Sequence, residues 1–135
     1  MKLTMSGIGL TVFLAAAPAF AELKVTRPSD GTDVCTEQRI PIEGTGATGD
    51  KVWLVVEPVK VGGFWVQEPA NAISGGRWFG GVYLGRPGQD YDQQYRIFAL
   101  QAASPHLEVG KALPNLPQAD EYASPVTVTK KQSGC

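Results

Sequence analysis

The chain has 135 residues, with 12 basic against 13 acidic side chains and a net charge of −1. That length fits one domain, and the near-neutral balance lacks the basic footprint that a nucleic-acid backbone demands. With 43% apolar residues, 19% charged residues, 16 Gly and 10 Pro, the composition is globular and rich in turns rather than disordered.

Residues 1–21 read as a cleavable signal peptide. Lys2 supplies the positive end, residues 8–17 the apolar stretch, and Ala19-Phe20-Ala21 the small-x-small cut before Glu22. The apolar stretch falls well short of the ~20 residues of a membrane span. Pro18 interrupts it, and no Cys follows the cut to carry a lipid. The expected mature domain is therefore 22–135, periplasmic or secreted, with no membrane insertion after cleavage.

The mature chain alternates with a period of two. Leu23 and Val25 mark a first strand, and Pro28-Ser29-Asp30-Gly31 a turn. Ile40 and Ile42 alternate in the next strand. Pro41 has no N–H to give a ladder, so it belongs at an edge or bulge. KVWLVVE at 51–57 is the strongest signal: five consecutive apolar residues predict burial on both faces, or one face plus cover from a loop. FWVQ at 64–67 is a short strand. In the strand at 77–84, Trp78, Gly80, Val82 and Leu84 share one face, and Arg77, Phe79, Gly81 and Tyr83 the other. YRIFALQ at 95–101 is mixed-apolar like a central strand. Residues 102–122 carry Pro105, Pro114 and Pro117 and no clear strand, with room for a helical turn or two at 107–113 limited by Gly110. Val126 and Val128 mark a last strand, and 130–135 a polar tail.

About seven short strands separated by turns predict an all-β fold, a single antiparallel β-sandwich of immunoglobulin-like type, with a small β-barrel as the alternative. Cys35 and Cys135 are the only cysteines. In an exported chain an even pair is expected to form one disulfide, and a loop of ~100 residues is worth up to ~4.7 kcal/mol in the chain-entropy model.

Several stretches together carry a resemblance. They are Ile42-Glu43-Gly44, Val52-Trp53-Leu54-Val55-Val56-Glu57-Pro58, Phe64-Trp65-Val66-Gln67, Gly76-Arg77-Trp78 and Tyr95-Arg96-Ile97-Phe98-Ala99. The chain resembles a group of poorly characterised bacterial exported immunoglobulin-like and fibronectin type III-like β-sandwich domains. The resemblance implies Trp53 as a core Trp of the central strand and Tyr95 as a corner residue folding back on the preceding loop. The usual inter-sheet Cys pair is absent, since Ile97 and Ala99 stand in that region. The resemblance implies a fold and no activity.

No motif names a reaction. His106 is the only histidine, it lies in the Pro-rich connection, and no GxSxG accompanies it. Glu43, Glu57 and Glu68 are glycosidase candidates by residue type only. One His and two cysteines expected to be oxidised make no zinc site. Asp30 with Asp33, and Asp90 with Asp92, could offer calcium two carboxylates each, or could simply be turn residues. The Gly-rich pieces open no helix and so cradle no phosphate. No cofactor and no catalysis are expected. The remaining signal is aromatic: Trp65, Phe79 and Tyr83 are the candidate ligand-binding residues, flat enough for a sugar ring or a protein partner. The expected function is an exported, non-catalytic binding module of the bacterial envelope engaging a protein partner, with a carbohydrate-binding module as the alternative.

Overall fold

The computed structural model describes residues 22–35, 38–101 and 107–132. The expected signal peptide, His106 and Cys135 lie outside the described residues.

Eleven strands and no α-helix occur among the described residues. They are β1 (Lys24–Arg27), β2 (Thr32–Val34), β3 (Ile40–Thr45), β4 (Lys51–Pro58), β5 (Phe64–Val66), β6 (Ala70–Ala72), β7 (Trp78–Val82), β8 (Gln94–Gln101), β9 (Ala112–Leu113), β10 (Glu121–Tyr122) and β11 (Val126–Lys130). Eight form one strongly curled sheet, a half-barrel, in the order β1-β3-β7-β6-β4-β8-β11-β2. β10 pairs with β8, β5 with β4, and β9 with β5. The count exceeds the expected seven because the additional strands are only two or three residues long. The sheet is also not wholly antiparallel: β2 runs parallel to β11, with Val128 opposite Thr32.

β4 is where the sheet turns. Its first residues pair with β6, Lys51 opposite Asn71 and Val52 opposite Ala70. Its later residues pair with β5, Val55 opposite Val66 and Val56 opposite Trp65. The register slips by one between the two, so residues 68–69 stand opposite Trp53 as a bulge, which bends a strand and increases its twist. After the bulge the two short strands part. β5 carries β9 on its outer flank, and β6 carries β7. Pro41 fits its expectation. It lies opposite Gly81 of β7, and β1 pairs only with Glu43, Gly44 and Thr45, so no strand lies against the proline's other flank.

The inward residues follow the period of two. Ile42, Val52, Leu54, Trp78, Val82, Ile97 and Val128 are fully buried members of the core. The Trp78 indole donates Nε1–H to Thr45 O at 3.0 Å. It lies where a side chain on Gly44 would stand, since a Cβ built there collides with the ring. Trp53 corrects an expectation: it is only half-buried and stands outside the core cluster. Val52, Leu54 and Val56 take the inner face of β4, so alternation sends Trp53 to the outer one.

That outer face is apolar too. Val55, Val66 and Leu100 are fully buried yet separate from the core cluster. The segment expected to be strandless extends the sheet sideways: β9 pairs with β5, and β10 pairs with β8. Residues 107–113 form no helical turn; they make a turn and then β9.

Candidate functional site

Where β5 and β6 part, the sheet leaves an open groove of about 680 Å³. Its floor is Val56 and Tyr95, both buried. One bank is Trp65, Gln67, Glu68 and Val109; the other is Arg39, Gly81 and Tyr83. Lys60 and Val61 of the β4–β5 turn, with Arg86, Asp90, Gln93 and Gln94, complete the lining.

Register places the aromatic residues. Trp65 lies opposite Val56, hence on the inner face of the sheet, but beyond the point where β6 and β7 fold over it. It is 44% exposed. Its neighbour Phe64 goes to the other face and meets Phe98 edge-on, with ring centroids 5.8 Å apart. Tyr83 follows β7 on the face of Phe79 and Gly81 and is 51% exposed. The structure thus brings two of the three aromatic candidates to one groove. Phe79, 50% exposed, lines a separate and shallower hollow with Ile73, Arg77 and Glu43.

Part of the groove's rim is held by charge. Arg86 grips Asp90 with two contacts: Nη2 reaches Oδ1 at 2.9 Å and Nε reaches Oδ2 at 3.1 Å. The Arg86 N–H also donates to Oδ2, at 2.9 Å. Hydrogen bonds from the Arg86 side chain, then from its backbone, hold the Asp90 carboxyl down to about 2. Lys130 clamps the same loop from below. It is 3% exposed, and its ammonium donates to Arg86 O and Gln89 O, each at 2.8 Å. It also lies 5.3 Å from the centre of the Tyr91 ring, a cation–π distance. Lys130 was expected to begin a polar tail; instead it ends β11 inside the protein. Tyr95 reaches back toward Asp90 O at 3.5 Å, as its expected corner role requires. Burial, and then the Asp90 charge, push its phenol above the ordinary value.

The other candidates are dispersed. Glu43 pairs with Arg27 at 3.8 Å and Glu57 with Arg96 at 2.8 Å, while Glu68 stands at the groove. The turn aspartates have protein partners: Asp30 Oδ1 accepts the Thr127 N–H at 2.7 Å, and Asp92 pairs with Lys131 at 3.0 Å. No cluster of three or more His, Cys, Asp or Glu that could hold a metal occurs among the described residues. Cys35 follows β2, and its expected partner Cys135 lies outside the described residues.

The sequence reading missed Arg39, Gln67, Val61 and Val109 as groove residues. One signal was present: Val59-Lys60-Val61 places apolar side chains in a turn, where polar ones are usual. Comparison with protein-family models, with curated proteins and with solved structures finds no match to this chain.

Proposed function

We propose that the protein is an exported, non-catalytic binding module that seats a protein partner in the groove between Trp65 and Tyr83. One observation carries this reading. Two half-exposed aromatics, Trp65 of β5 and Tyr83 just past β7, line one groove of about 680 Å³ although β5 and β7 do not pair with each other. A concave, mostly apolar site with a few polar groups is the default form of a binding site. We also read the half-barrel as a member of the immunoglobulin-like sandwich group. Support comes from the division of the first segment between β1 on β3 and β2 on β11, and from the Tyr95 corner.

The test is affinity capture from the native envelope fraction with wild-type protein, Trp65→Ala and Tyr83→Ala side by side. A protein retained by wild type and lost with both variants is expected. A protein held equally by all three would place the interface elsewhere and overturn the reading.

A second reading has its own observation: Gln67, Gln93 and Gln94 stand among the aromatics, the mixture of flat faces and amides that suits sugar rings. It expects envelope glycans to quench Trp65, the most exposed of the three tryptophans. An unchanged emission spectrum across a panel of such glycans would remove it.

A further inference from the structure

The bank formed by β7 is a strand edge finished by side chains. β3 covers one flank of β7 throughout, from Ile40 opposite Val82 to Gly44 opposite Trp78. β6 covers the other flank only at Trp78 and Phe79. Past that point the Tyr83 N–H donates to Gln67 Oε1 at 3.0 Å, and Gly81 O accepts from Arg39 Nη2 at 3.0 Å. A donor and an acceptor two residues apart along one edge are groups that a neighbouring strand would bond. Here two side chains occupy them, both from the groove wall.

We propose that an extended, acidic peptide adds to this edge of β7, its main chain replacing Gln67 at Tyr83 and Arg39 at Gly81. The inference rests on the groove being the ligand seat and names its occupant. Charge argues for the acidic character. Arg86 and Asp90 satisfy each other, whereas no ion pair joins Arg39 or Lys60 to a carboxylate among the described residues. Against these two cations the groove sets one further carboxylate, Glu68. An Arg39 released from Gly81 is free to grip a peptide carboxylate in the two-pronged manner of a guanidinium. Alternate peptide side chains would fall toward Trp65 and Val61, which are exposed and apolar.

The experiment selects binders from a phage-displayed library of random 12-residue peptides on the purified protein. Enriched sequences are synthesised and titrated by Trp fluorescence. Enrichment of Asp- and Glu-containing peptides is expected. Methylating the backbone nitrogen at alternate peptide positions should weaken binding at least about tenfold, with little effect at the positions between. Gln67→Ala should bind about three- to tenfold tighter, because the cap no longer competes for the Tyr83 N–H. Weaker binding by Gln67→Ala would make Gln67 a ligand contact and overturn edge addition. So would uniform tolerance of N-methylation in peptides that still require Trp65, which would leave the groove reading standing. Peptides that bind Trp65→Ala as well as wild type would overturn both. Failure to enrich any acidic peptide, with glycans quenching Trp65 instead, would replace this inference by the sugar reading.

Discussion

Lys130 and Gly44 each hold a place that one substitution undoes. The buried Lys130 ammonium donates to Arg86 O and Gln89 O, and so ties the loop that carries them to the end of β11. Lys130→Met keeps the length of the side chain and removes the donor. Losing hydrogen bonds from a charged donor costs ~1.5–3 kcal/mol, so the melting temperature should fall by at least about 4 °C in thermal denaturation followed by circular dichroism. Ligand affinity should weaken as well, because the freed loop carries Arg86 and Asp90. Gly44→Ala should be worse, since the new methyl enters the space of the Trp78 indole. Overpacking of this kind costs ~1–3 kcal/mol and more where backbone must move. Trp78 was legible as a core residue because it shares its face with Val82 and Leu84. Trp53 was not, because both faces of β4 are apolar and alternation alone cannot say which is inside.

The loop between β7 and β8 is expected to loosen at low pH. The Asp90 carboxyl ordinarily titrates at 3.8 and is held at about 2 in the folded protein. A depressed folded value means that the contribution to stability is present above 3.8 and is lost as pH falls toward 2. Hydrogen exchange in this loop should therefore accelerate across that window while the core strands keep their protection. Arg86→Ala should return the Asp90 titration toward 3.8, as read by NMR of its carboxyl carbon. A titration unmoved by this change would mean that another group holds the carboxylate. The strands flanking the loop were readable from period-two alternation in the sequence. β9 and β10 were not, because a two-residue strand has no period. They are set by the free flanks of β5 and β8 that they join, a tertiary demand that Ala112–Leu113 and Glu121–Tyr122 do not show locally.

At the scale of the molecule, the curled sheet unites the two ends of the chain. Lys131 N–H donates to Val34 O at 2.7 Å, which lays the chain after β11 alongside the residues leading to Cys35. We expect Cys35 and Cys135 to be bridged in the exported protein. Native protein should then show no titratable thiol, and reduction should lower its melting temperature by removing up to ~4.7 kcal/mol. Two thiols titrating in aerobically purified native protein would sink the bridge. The all-β class was plain in the alternation. The parallel β2–β11 pair was not, because a three-residue strand carries no mark of the direction of its partner.

That pairing also sets a timetable. β1 and β2 are made together but seated apart, one on β3 and the other on β11. Thr32 therefore waits for Val128, and the second strand to leave the ribosome is among the last to find its neighbour. A chain drawn N-terminus first through a narrow pore would bring its early strands out unaccompanied, their partner still on the near side. Assembly would then follow arrival, and the sheet would close only once the far end of the chain had come through.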